Sequence, residues 1–174
     1  IAADARNRIP LALRCLLIEH DAGLVLVDTG AGNKESGKFV DIYGLENAGA
    51  GGRTALEDAL TGLGHRPEDV AWVINTHVHF DHAGGNTVPE GGLLKPAFPN
   101  ARYMVQRGEW EAATNPNERT RASYRPEDFL PLLDSGQIEF MEGDGEVAEG
   151  VAVFRTSGHN RDIQLVSIRS QGKT

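Results

Sequence analysis

Cysteine is almost absent: Cys15 is the only one in 174 residues. That excludes an intramolecular disulfide framework and a cysteine-rich zinc site, and leaves Cys15 to be read as a small buried hydrophobe in a strand. Basic charge is also scarce, with 17 Lys and Arg against 25 Asp and Glu, a net charge of −8 with His neutral. Nucleic acid and anionic membranes both need a basic footprint, so neither is the expected partner. No apolar run approaches the roughly 18 residues that a membrane span requires. Residues 1–8 carry charges where a secretory leader would have its apolar region, so the expected location is cytoplasmic. No repeat at a fixed period and no linker interrupts the chain, and 1–174 is read as a single domain. What remains is an ordinary globular mixture, 40% apolar and 24% charged. The 21 glycines exceed the usual share of about 7% and cluster beside polar motifs.

The apolar pattern alternates strand and helix. Leu11–Ile18 reads as a mostly buried strand, His20–Gly23 as a turn and Leu24–Val27 as the second arm of a hairpin, ending in Asp28-Thr29-Gly30. Residues 31–53 are rich in glycine and polar side chains, with a short helix near 38–43. Thr54 and Glu57 have the spacing of a capping box for a helix carrying Leu56, Ala59, Leu60 and Leu63 on one stripe and stopping at Gly64. Val70–Ile74 is a short continuous apolar run, as in a strand buried on both faces. A strand at 102–106 and a helix at 108–114 follow, then a short helix at 126–133 and strands at 138–141, 151–156 and 163–168. Trp110, between Glu109 and Glu111, reads as the packing face of its helix, with a substrate wall as the alternative. Helix followed directly by buried strand implies a layered α/β architecture.

The chemistry concentrates after Val70–Ile74. Thr76-His77-Val78-His79-Phe80-Asp81-His82 places three imidazoles and a carboxylate within six residues. In an extended segment alternate side chains share a face, so His77 and His79 point the same way, while Asp81 and His82 approach from another side. Such a cluster at the end of a buried strand avoids repulsion and desolvation by binding a cation, and zinc takes neutral imidazole and carboxylate ligands in this manner. Gly84 and Gly85 let the backbone turn close to the site. His159, on the Ser157-Gly158-His159 loop after another apolar strand, is a candidate third imidazole for the metal held by His77 and His79. His20 and His65 sit in a turn and past a helix end, and read as solvated surface residues.

The order Asp28-Thr29-Gly30, His77-x-His79-x-Asp81-His82, Gly158-His159 resembles the metallo-β-lactamase-fold hydrolases over nearly the whole chain. The segments 76–86 and 98–113 look most like the branch of N-acyl-homoserine lactonases and related organophosphate or ester hydrolases. The resemblance implies a four-layer αββα sandwich, apparently incomplete at both ends: first strands are expected ahead of Leu11, and a bridging aspartate and last histidine beyond Thr174. It implies His77, His79 and His159 as ligands of a first metal, Asp81 and His82 as ligands of a second, and Asp28 as a support beneath the site. In many relatives a second histidine follows four residues after the one matching His159; here that position is Ile163.

The leading expectation is a zinc-dependent hydrolase acting on a small-molecule ester or lactone, acyl-homoserine lactone among them, through a metal-bound hydroxide. Two zinc ions about 3.5–4 Å apart would share the work, with Asp81 also passing a proton to the leaving group. Iron, manganese and cobalt are the alternative metals. Thioester or organophosphate hydrolysis and iron-dependent oxidation are alternative activities, and a non-catalytic metal-binding fragment is the alternative from another class. Three strands, at 11–18, 70–74 and 163–168, are apolar enough to need cover on both faces, so a homo-oligomer or a longer chain is expected to supply it. At most one tightly held metal is then expected, with the His77, His79 and His159 nitrogens within about 3–4 Å of one another.

Overall fold

The computed structural model describes residues 1–170. β1 (Leu16–Ile18) and β2 (Leu24–Val27) form the expected antiparallel hairpin, with Leu16 opposite Val27. The first arm is much shorter than the apolar run at 11–18, and Leu11, Leu13 and Leu16 are exposed. The reason lies in its partner. Asp28 adopts a left-handed φ of 57°, so the ladder that residues 11–15 would need stops at Val27. Cys15 accordingly lies just outside the strand, half-buried against the core.

α1 (Gly37–Tyr43) is capped by the Ser36 hydroxyl, which accepts from the Phe39 N–H. α2 (Ala55–Gly62) carries the anticipated capping box: the Thr54 hydroxyl and Glu57 carboxylate satisfy each other's backbone N–H groups. Of its apolar stripe Leu60 is buried in the core and Leu56 packs partly buried against it, while Leu63 is exposed. β3 (Val70–Ile74) and α3 (Phe80–Ala83) follow. A hairpin absent from the sequence reading comes next, β4 (Thr87–Glu90) and β5 (Leu93–Pro96), turned by Gly91 and Gly92, both at positive φ.

β6 (Arg102–Gln106) leads into α4 (Arg107–Thr114). The helix expected at 126–133 is broken at Phe129, giving a single turn at Pro126–Asp128 and then α5 (Leu130–Asp134). Pro131 has no N–H for the Glu127 carbonyl, which accepts instead from the Thr87 hydroxyl at 2.8 Å. β7 (Ile138–Met141), β9 (Val151–Thr156) and β10 (Ile163–Ile168) fall where the apolar pattern placed them. β8 (Gly145–Ala148) was not legible.

The strands form a five-stranded sheet in the order β1-β2-β3-β6-β7, parallel from β2 onward, and an antiparallel three-stranded sheet β10-β9-β8. Leu26, Val73 and Tyr103 turn one face of the larger sheet towards Leu60 and Leu132 of the helices. Val25, Ile74 and Met104 turn the other face towards Val151 and Val153 of the smaller sheet. Val70–Ile74 is thus covered on both sides, as its composition demands. β10 is not: Leu165 and its cross-strand neighbour Phe154 are exposed on the outer face of the small sheet. The described residues therefore supply three of the four αββα layers: helices, sheet, sheet.

Candidate metal centre

β2, β3 and β6 run parallel, so the loops at their C-terminal ends converge on one edge, where open α/β sheets place ligands. Asp28 leaves the end of β2 and residues 75–79 leave the end of β3. The 157–162 loop, between β9 and β10, closes over them: the Gln164 N–H donates to the Thr76 carbonyl at 2.9 Å and the Gln164 amide to that of Asn75 at 2.8 Å.

The structure brings His77, His79 and His159 together. One nitrogen from each lies within 4.8 Å of the others, and His79 Nδ1 is 3.2 Å from His159 Nε2. The pair meets the anticipated 3–4 Å separation; the triad as a whole is looser. The Thr76 hydroxyl spends its proton on Asp28 at 2.9 Å, so it can only accept from His77 Nδ1 at 3.1 Å. His77 Nε2 then presents a lone pair, buried and without a hydrogen-bond partner. Burial and the neighbouring imidazoles push His77 down to about 2, and burial and His159 push His79 down to about 4. Both rings are therefore neutral at physiological pH, the form that ligates metals. Among the described residues no opposite charge pairs with these rings, apart from the more distant pull of Asp81. Converging neutral donors and an orphaned lone pair fit a divalent cation.

Asp81 and His82 sit on α3, and the His82 ring lies beside that of His77 with centroids 4.1 Å apart. The Asp28 carboxylate only accepts, so His82 Nδ1 carries a proton and donates to it at 2.7 Å, which leaves His82 Nε2 facing Asp81 at 3.6 Å. Burial alone would lower His82, but the bond to Asp28 and the charges of Asp28 and Asp81 outweigh it and hold the group above its usual value. Asp28 also accepts from the Thr76 N–H at 2.8 Å. It is thus a buried brace between β2, β3 and α3. Gly84 and Gly85 are needed for a reason other than turning. A Cβ on Gly84 would overlap the Ala31 backbone and one on Gly85 the Thr29 carbonyl, so the glycines let α3 press against the end of β2.

The family model of the metallo-beta-lactamase superfamily matches residues 9–173. The chain belongs to that superfamily. An N-acyl homoserine lactonase of a Bacillus species is 36% identical over 170 residues, covering 94% of this chain and 60% of the relative. A solved structure described as a probable metal-dependent hydrolase from Staphylococcus aureus superposes with a TM-score of 0.85 at 28% identity, over 98% of this chain and 58% of that one. A B. thuringiensis AiiA structure with N-decanoyl-L-homoserine at its active site gives a TM-score of 0.65 at 34% identity, over 90% of this chain and 58% of that one. The chain thus spans about 60% of the length of the curated relative.

Two openings flank this metallo-beta-lactamase centre. One of about 260 Å³ lies against Asp81 and His82 and is lined by Leu11, Leu13 and Cys15. The other, about 450 Å³, lies against His159 and Tyr124 and is lined by Asn115, Asn117 and Arg161. His20 and His65 lie away from the centre, half-buried rather than fully solvated, bonded to the Glu149 carbonyl and the Glu19 carboxylate. Trp110 packs against Phe129 and Phe140, so its role is the packing one. The sequence reading missed Glu109, Tyr124 and Asn160, which interlock behind His79 and His159. Glu109 is 1% exposed. The available signal was its place in a first helical turn beside a buried Trp, a position that faces the core.

Proposed function

We propose that this chain is the metal-binding part of a metal-dependent hydrolase that opens an ester or lactone, with N-acyl-homoserine lactones as the substrate class. The observation that carries this is the convergence of three imidazoles, those of His77, His79 and His159, beside the Asp81–His82 pair. His77, His79 and His159 would hold the first divalent ion, and Asp81 and His82 would contribute to a second. Zinc is the ion favoured by this mixture of imidazole and carboxylate, with iron, manganese and cobalt compatible with the same donors. When bound, such ions activate water at neutral pH and polarise a carbonyl oxygen.

The chain's own residues do the rest. Asp28 fixes the ring of His82 by holding Nδ1, so that only Nε2 is offered to the site. Asp81, a third exposed, can take a proton from the attacking water and return it to the leaving alkoxide. The opening at Asp81 and His82 is lined by Leu11 and Leu13, apolar side chains suited to an acyl group. The two openings have the scale of small-molecule sites. No helix among the described residues is long and apolar enough to cross a membrane; the cytoplasmic location is part of this proposal.

The test is metal analysis of the purified protein together with turnover of an acyl-homoserine lactone, a thioester and a phosphotriester. We expect zinc and lactone opening, both lost in His77→Ala. Iron accompanied by oxygen consumption would transfer the protein to oxidative chemistry. A metal-free protein without turnover of any of the three would end the hydrolase reading.

A further inference from the structure

Glu109 lies 31 residues from Val78 and 51 from Asn160 in sequence, yet its carboxylate meets both. Oε1 accepts from the Val78 N–H at 3.0 Å and from Asn160 Nδ2 at 2.9 Å; Oε2 accepts from Asn160 Nδ2 at 3.1 Å and from the Tyr124 hydroxyl at 3.3 Å. Every one of these partners is a donor, and no cation pairs with the carboxylate among the described residues. A buried carboxylate without a cation is costly, so its retention calls for a group that only accepts, with lone pairs enough for several donors.

The partners locate the consequence. The Val78 N–H belongs to the peptide that links His77 to Val78, so holding it fixes the backbone between the two histidines. Asn160 follows His159 directly. Tyr124 stands edge-on to His79, with ring centroids 4.7 Å apart, and its backbone bridges that of His79. One carboxylate therefore ties together the segment bearing two of the histidines and the loop bearing the third. Gln164, at the start of β10, adds bonds to the Asn75 and Thr76 carbonyls at the end of β3.

We propose that Glu109 is a positioning residue that sets the mutual geometry of His77, His79 and His159 through Val78 and Asn160. This rests on the reading of those histidines as a metal site. It touches neither metal nor substrate. Its removal should loosen the triad and weaken metal binding, on the scale of about 10–100-fold known for groups that orient metal ligands from behind.

The experiment compares wild type, Glu109→Ala, Glu109→Gln, Asn160→Ala and His77→Ala. Metal affinity is measured by competition with a chromophoric chelator, coordination by the visible spectrum of the cobalt-loaded protein, and folding by thermal unfolding in chelator. Glu109→Ala should lose about 10-fold or more in affinity with a broadened cobalt spectrum. Glu109→Gln, which keeps one acceptor for Val78, should recover most of the loss. Asn160→Ala should weaken binding while its metal-free unfolding stays close to wild type, and it carries the test if Glu109→Ala fails to fold. Wild-type affinity and spectrum in both Glu109→Gln and Asn160→Ala would leave no positioning role if Glu109→Ala is either unfolded or equally unaffected. Affinity lost in His77→Ala but unchanged in a folded Glu109→Ala would overturn the proposal and keep the metal site. Affinity unchanged in His77→Ala would overturn the metal site, and the role of Glu109 with it.

Discussion

Asp81 lies at the opening with one carboxylate oxygen 3.6 Å from His82 Nε2, while the buried histidines of the triad lie deeper. A group in that place can both bind a cation and carry a proton, and the two roles share one negative charge. Asp81→Asn keeps the shape and removes the charge. We expect turnover to fall by at least about 100-fold, the lower scale for losing a general acid or base, with unfolding in chelator unchanged. Steady-state kinetics on the best substrate checks it, and an unaltered kcat would remove Asp81 from the chemistry. At this scale the six-residue motif was legible, because its residue types have few alternative uses at that spacing. Glu109 was not. A glutamate between Gly108 and Trp110 reads as surface by residue type; its place beside a packing Trp was the one local signal, and burial among four donor contacts distinguishes it.

Between elements the contacts are made by charge as well as packing. Lys34, from the segment after β2, lies 2.7 Å from Asp128 in the turn before α5, their side chains 6% and 0% exposed, and it also donates to the Gly84 carbonyl past α3. Burial pushes the Asp128 carboxyl up to about 6, with Lys34 pulling the other way without cancelling it. The folded state therefore keeps a proton between about pH 4 and 6, where the unfolded chain has released it, so this contribution to stability rises as pH falls through 6. We expect the unfolding free energy of wild type minus that of Asp128→Asn to increase by on the order of 1 kcal/mol from pH 7 to pH 5. Denaturant titrations at the two pH values measure the difference; a gap that stays level would mean the carboxyl is charged throughout. Among elements, α2 was readable down to its capping box because every contact involved is local. β4 and β5 were missed because Pro89 and Pro96 argue against strands, yet a lone two-stranded hairpin has free edges that tolerate proline.

Over the molecule as a whole, a ligand that binds only the folded state stabilises it by mass action. Metal at about 100 times its dissociation constant contributes about 2.7 kcal/mol. For a chain of this size that corresponds to a Tm shift of roughly 5–10 °C. We expect chelator to lower the Tm of wild type by that amount and to leave His77→Ala unmoved. Equal shifts in both would place the metal elsewhere. The strands β2, β3, β6, β7, β9 and β10, the capping box of α2 and the His77–His82 cluster were determined by the sequence alone, since each follows from neighbours along the chain. Only the tertiary structure decided that β1 begins as late as Leu16, that Leu165 faces outward, and that His159 reaches His79 across 80 residues. Those outcomes depend on which strands pair and which loops meet at a shared sheet edge. Local periodicity reports the conformation of a segment, but the partner that covers or orients it comes from a distant part of the chain.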